Sequence, residues 1–392
     1  MKAIFKMTGR TIRTYFTRFM AILLIVALSA GFFAGLKITT DAMLNTGESY
    51  LADQKFYDFR LFSTIGFDKA DVGKFESIDG VEAAEGSYSV DALVRFDDKV
   101  SPFKLHALTE KTNLISLEAG RMPTSPNECL ADVDQYTEDD IGKTFTVADE
   151  NDEGVKSQLE VTEFTIVGLC NSPLYLGLDR GTTTIGSGTV STFIYAPEEA
   201  FSGEVYTEIN LILDESAEIY SEEYDELIDK HEVEIPALAE EAVKERYEKL
   251  LAENHLTPEM AEALGLEAPS SYVLTRNENA GYVSFENDTA IIGSVANIFP
   301  IFFIAIAILV CVTTMSRMVD EERTQIGTLK AMGFSKGAIM SKYLLYAAIA
   351  TVVGWGIGYF VCTWALPKIF WLAYNEIYNF APIICLAVHL PF

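Results

Sequence analysis

Residues 298–336 read I-F-P-I-F-F-I-A-I-A-I-L-V-C-V-T-T-M-S-R-M-V-D-E-E-R-T-Q-I-G-T-L-K-A-M-G-F-S-K, and where charge enters them decides the fold. No Asp, Glu, Lys or Arg occurs from 298 to 316, and the charge-free stretch begins upstream at Thr289, 28 residues in all. A bilayer core about 30 Å thick takes roughly 20 apolar residues in a helix, so this stretch is long enough to cross it. At Arg317 charge returns, and Met318, Ile326, Leu329 and Met332 supply one apolar face to a short segment. Working outward, residues 343–367 (25 residues) and 19–36 (18 residues) are also free of charge. These give two further spans, placed at about 19–36 and 343–367, with the middle one at about 290–316.

The charges between the spans set an orientation. Residues 1–18 hold Lys2, Lys6, Arg10, Arg13 and Arg18 and no acid, and residues 317–342 hold five basic residues against Asp320, Glu321 and Glu322. Both read as cytoplasmic by the positive-inside rule. Residues 37–288 carry 18 basic and 53 acidic residues, and a segment that acidic reads as extracytoplasmic. Ala27-Leu28-Ser29 loosely fits a signal-peptide cleavage site. The apolar run continues past it to Leu36, however, and Ile4, Ile12, Phe16 and Phe19 recur at helical spacing, so residues 1–18 read as an amphipathic segment leading into an anchor.

The outer segment is large enough to bury its own core. Residues 90–96, 144–148 and 159–167 have strand composition, and residues 216–266 turn to Glu, Ala, Leu, Lys and Tyr at helical intervals. That helical part is expected to break at Pro236 and restart at Pro258. Cys129 and Cys170 are either bridged or two buried thiols. Asp149, Asn151, Glu153, Gly154 and Glu160 approach a calcium-loop spacing, but strand-like flanks favour a solvated hairpin turn over residues 149–154.

Catalytic chemistry has no support in the sequence. The four histidines show no ligand spacing, no serine stands in a nucleophile elbow, and no G-x-x-x-x-G-K-[ST] occurs. No enzyme activity, cofactor, metal or nucleic-acid partner is expected; any ATP is bound by another chain. The segment after Arg317 is too short for a domain, yet a compact charged helix joined to two spans has the shape of a lever. Gly333 can end it and Ser335 can cap the helix that follows. In the third span, Gly354 and Gly358 lie four residues apart and permit close helix packing, and Pro300 is expected to kink the second span.

At these residues the chain resembles the FtsX-like and MacB-like ABC transporter permeases, close to the large permeases of Gram-positive bacteria. F-P-I-F-F at 299–303 and T-T-M-S-R-M-V-D-E-E-R-T-Q-I-G-T-L-K-A-M-G-F-S-K at 313–336 look like the signature around the second span and the coupling helix. V-G-L-C-N-S-P-L-Y at 167–175 and D-R-G-T-T-T-I-G-S-G at 179–188 are similar to the extracellular domain of that family. The resemblance implies a permease subunit paired with a cytoplasmic ABC ATPase, set in the lipid bilayer of the cell membrane and joined by a second permease unit. It implies that residues 320–333 are the coupling helix, with Asp320, Glu322, Arg323, Ile326, Gly327, Leu329 and Gly333 meeting the ATPase. Glu322 and Arg323 would give polar contacts, Ile326 and Leu329 an apolar plug, and Gly333 a hinge. Gln325 stands where many relatives have Glu, and residues from about 381 supply only part of the family's fourth span, as in a truncated or half-length permease.

The expectation is a membrane α-helical permease domain at 289–392 with a large extracytoplasmic α+β domain at 37–288, acting on a peptide, lipid, lipoprotein or cell-wall enzyme. The alternative is a membrane-anchored extracellular sensor or scaffold without transport. It is disfavoured because the longest cytoplasmic segment, residues 317–342, has no room for a signalling domain.

Overall fold

A computed structural model of the chain describes residues 2–203, 205–214 and 217–380. The partial fourth span expected from about 381 lies outside the described residues. The chain forms two compact units, one of Met1–Thr46 and Asn287–Glu376 and one of Gly47–Glu286 with Ile377–Ala381. The divisions fall at 46/47 and 286/287, not at the span ends 36/37 and 288/289, because the helices that carry the spans run on beyond their charge-free stretches.

The first unit is helical. α1 (Lys2–Thr14) stops at Tyr15 and α2 (Phe16–Asp53) follows at once, so the expected N-terminal segment ends four residues early. The second unit supplies α3 (Asp71–Glu76), α4 (Glu153–Lys156), α5 (Glu222–His231), α6 (Glu234–Glu253) and α7 (Pro258–Ala263). α8 (Ala280–Glu321), α9 (Arg323–Ala331) and α10 (Lys336–Tyr374) follow. Three of these, α2, α8 and α10, are long and apolar enough to cross a membrane. α8 continues through Pro300.

The second unit is α+β. β1 (Phe59–Asp68), β2 (Val81–Ser87), β10 (Val205–Leu213) and β11 (Ser271–Thr275) form an antiparallel sheet in the order β11-β1-β10-β2. β3 (Ser89–Phe96), β4 (Lys99–Ala107), β5 (Ser116–Gly120), β6 (Glu128–Asp132), β7 (Thr144–Val147), β8 (Glu163–Asn171) and β9 (Thr192–Ala196) form a second sheet, ordered β5-β8-β6-β9-β4-β3-β7. β7 also pairs with the start of β8, which closes six of these strands into a barrel. Alternation places Val90, Ala92 and Val94 inside it with Phe103, Phe145 and Ile166. The antiparallel sheet buries Phe59, Leu61 and Ile209 against Leu227, Ala239 and Val243 of α5 and α6.

Several local expectations are corrected. The helical break falls at Glu232 and Val233, not at Pro236, which is the third residue of α6. First-turn N–H groups have no intrahelical acceptor, so proline costs little there. For Cys129 and Cys170 the buried-thiol alternative holds: both are free and buried, their backbones pair with Ile166 and Asp132 respectively, and they sit in separate packing clusters. The connection from β7 to β8 contains α4, capped by Asp152, in place of a simple turn. Asn151 there is buried: its Oδ1 accepts from Leu93 N–H at 2.7 Å and its Nδ2 donates to Leu93 O at 2.7 Å.

Candidate functional site

The helical unit concentrates its polar chemistry where α8 gives way to α9. Glu322 lies between them at φ −90° and ψ 11°, in the bridge region, while the hydrogen-bond ladder continues through it from Glu322 N to Met318 O and from Ile326 N to Glu322 O. Its carboxylate turns inward and is 4% exposed. One oxygen, Oε2, accepts from Lys342 Nζ at 2.6 Å and from Tyr343 Oη at 2.6 Å, tying the joint to the first turns of α10. A buried ion pair this short offsets its desolvation only with further hydrogen bonds, which Tyr343 supplies. Arg18 of α2 forks onto the neighbouring Glu321 at 2.8 and 2.7 Å on the surface. Tyr346 Oη donates to the carbonyl of Tyr15, the residue between α1 and α2, at 3.1 Å.

α9 ends as its sequence dictates. Gly333 sits at φ +88°, a left-handed position that favours glycine, and Gly333 N–H and Phe334 N–H bond to Lys330 O and Leu329 O in a Schellman closure. Ser335 then caps α10, accepting from Ala338 N–H at 3.2 Å. The remaining expected contacts, Arg323, Gly327, Ile326 and Leu329, separate by exposure. Arg323, Gly327, Lys330 and Met332 are exposed, whereas Ile326 and Leu329 are half-buried, and Ile326 packs on the cluster of Phe19, Met318, Tyr343 and Tyr346. Asp320 is exposed on the last turn of α8, outside α9. Of the residues expected to meet the ATPase, Glu322 thus has its carboxylate occupied inside the bundle and Ile326 packs on that bundle.

Further along, α10 packs on α2 backbone to backbone. A Cβ added at Gly354 would lie 2.5 Å from Leu23 O, and one at Gly358 would overlap Ala27 O. From the facing helix, a Cβ at Gly31 would meet Cys362 Sγ at 2.5 Å and one at Gly35 would meet Leu366 Cδ1 at 2.7 Å. The sequence reading named only the α10 half. Gly31 and Gly35 are themselves four residues apart and were a readable signal. Lys342 and Tyr343 gave no such signal, since a partner twenty residues away across a helix turn follows no spacing rule.

Polar clusters of the second unit include those around Arg180 and His106. Arg180 is buried; its guanidinium donates to both oxygens of Asp132 at 2.6 and 2.9 Å, to Asp134 at 2.5 Å and to the carbonyl of Gly177, with the rings of Tyr175 and Phe193 beside it. His106 lies 2.7 Å from Tyr175 Oη. Burial first, and then the charges of Arg60 and Lys104, hold its imidazole well below the usual range, so it is neutral. Among the described residues no group of His, Cys, Asp and Glu has the arrangement of a metal site.

Residues 297–391 match the family model described as FtsX-like permease C-terminal. Solved structures similar to the chain include the extracellular domain of the noncanonic ABC-type transporter YknZ from Gram-positive bacteria, at 11% identity and a TM-score of 0.29, covering 55% of this chain and 98% of that one. The periplasmic region of MacB from Actinobacillus actinomycetemcomitans is another, at 10% identity and a TM-score of 0.28, covering 61% and 94%. No curated protein matches the chain.

Proposed function

From the premise that residues 297–391 are an FtsX-like permease C-terminal domain, we propose that the chain is the transmembrane subunit of an ABC transporter and that α9 is its seat for a cytoplasmic ATPase. The observation that carries this reading is the two-faced build of α9. Its outward face presents Arg323, Gly327 and Lys330, while the joint before it is bound to the third span through Glu322 and Lys342. A push on α9 therefore reaches α8 through the helix joint and α10 through the ion pair. α2 and α8 each continue without a break into the second unit, which gives that motion a covalent path to the acidic domain.

In this reading the positive ends face the cytoplasm and the acidic unit lies outside, where it handles a peptide, lipid, lipoprotein or cell-wall enzyme. A second permease unit completes the bundle. Isolation of the full-length chain from its native membrane tests the reading: a P-loop ATPase should co-purify with it and be lost on Lys330→Glu. Its absence under conditions that keep the chain folded would refute the proposal.

A further inference from the structure

The antiparallel sheet of the second unit ends on β11, and its open edge is informative. Thr64 N–H donates to Ser270 O at 3.1 Å, and the register continues through Ser63 with Ser271 and Phe62 with Tyr272. Hydrogen-bonded pairs alternate along an antiparallel ladder. Ser270, Tyr272 and Leu274 thus turn their backbone groups toward β1, and Ser271 and Val273 turn theirs to the open side. Among the described residues no strand pairs with that side.

Proteins usually blunt such edges with Lys, Pro, inward charges or bulges. The opposite edge, β2, follows this rule, with Glu82, Glu85 and a register shift against β10. β11 reads S-Y-V-L-T, with no charge, no proline and an unbroken register. Beside it a groove of about 590 Å³ runs under α6, lined by Val243, Lys244 and Tyr247 from the helix and by Pro269, Ser271 and Val273. An unprotected edge next to a helix-walled groove fits one ligand shape, an extended chain whose backbone adds a strand and whose alternate side chains enter the groove. Charge narrows the class. Residues 217–269 carry sixteen acids against four Lys or Arg; Glu240 lines the groove with Lys244, and α6 exposes Glu241 and Glu248 beyond it.

We propose that β11 and α6 form a docking site for an extended basic peptide, which pairs with Ser271 and Val273 as a fifth strand and places apolar side chains against Tyr247 and Val273. This deepens the transporter reading by naming a ligand class, and rests on it only for the outward exposure of this unit. The test uses the full-length chain in phosphatidylcholine nanodiscs and a fluorescein-labelled octapeptide of alternating Lys and Val, with empty nanodiscs as the blank. Anisotropy should report saturable binding, at least tenfold weaker for Val273→Pro, which removes the edge donor, and for Glu240→Lys with Glu241→Lys. A peptide N-methylated at alternate residues, measured on the unmutated chain, should also lose at least tenfold, and this arm does not depend on any variant folding. Equal binding of the N-methylated peptide would reduce the effect to charge alone and overturn the proposal. Concentration-dependent dimers abolished by Val273→Pro would overturn it too, in favour of a second copy on the edge. No ATPase is needed, so a chain that binds peptide but recruits no ATPase keeps this inference and loses the transporter reading.

Discussion

Arg180 and Glu322 anchor two buried ion pairs that are built for opposite ends. Arg180 is held from several directions by Asp132, Asp134 and the Gly177 carbonyl, between two aromatic rings, and a planar guanidinium so bound allows little rotation. Glu322 meets a single ammonium and a phenol through one oxygen, at a residue whose backbone already departs from helix. A lysine head on a flexible stem keeps its bond while the helix beneath it turns. The first arrangement fixes a loop; the second joins two helices through one flexible side chain. The same contrast runs through the packing, since the second unit interlocks side chains such as Phe103 and Phe145 whereas α2 and α10 meet through glycines.

Breaking the rigid side should have the largest effect. Arg180→Met leaves Asp132 buried without its cation, and loss of one partner of a buried pair costs about 3–5 kcal/mol. The second unit of that variant should melt well below the parent in a scan of tyrosine fluorescence. An unchanged melting profile would mean that Arg180 is not the clamp described. On the membrane side, Gly358→Ala forces α10 away from Ala27 O, an overpacking change of about 1–3 kcal/mol. A disulfide engineered between α2 and α10 should then form more slowly than in the parent, while the same substitution at Gly356, which has nothing within 4 Å, should leave the rate unaltered.

How much of this was legible in the sequence depends on the range of the interaction. Three spans and an acidic α+β unit follow from charge-free stretches and composition, which are local properties. The Gly333 closure and the Ser335 cap were readable for the same reason. Pro236 misled because proline marks the first turn of a helix as well as its end. The face that α9 turns inward was not legible at all. Apolar periodicity selects Ile326 and Leu329 as a face but says nothing about whether a partner or the chain's own spans will cover it. Glu322 likewise reads as one of three consecutive acids, and only its meeting with Lys342 and Tyr343 distinguishes it from Glu321.

The smallest effect sharpens the comparison through pH. His106 is held neutral when folded, with its folded value below its unfolded one, so the unfolded chain takes up a proton first as pH falls. Its contribution is complete above about pH 6.5 and is lost below it, at a slope approaching about 1.4 kcal/mol per pH unit. Denaturant titrations of the second unit between pH 7.5 and 5.5 should show that slope, and His106→Gln should flatten it relative to the parent. Parallel pH profiles would remove His106 from the account.

The central claim is that the outward face of α9 binds the ATPase while Glu322 passes the motion on, and ATP hydrolysis by the reconstituted complex in proteoliposomes tests it most directly. Lys330→Glu should abolish ATPase association, because Lys330 is exposed on the docking face with Arg323 and Gly327. Glu322→Ala should retain association and lose the nucleotide-dependent change in the second unit, read by a fluorophore placed at Asp97. Full association with Lys330→Glu, or full nucleotide response with Glu322→Ala, would contradict the account.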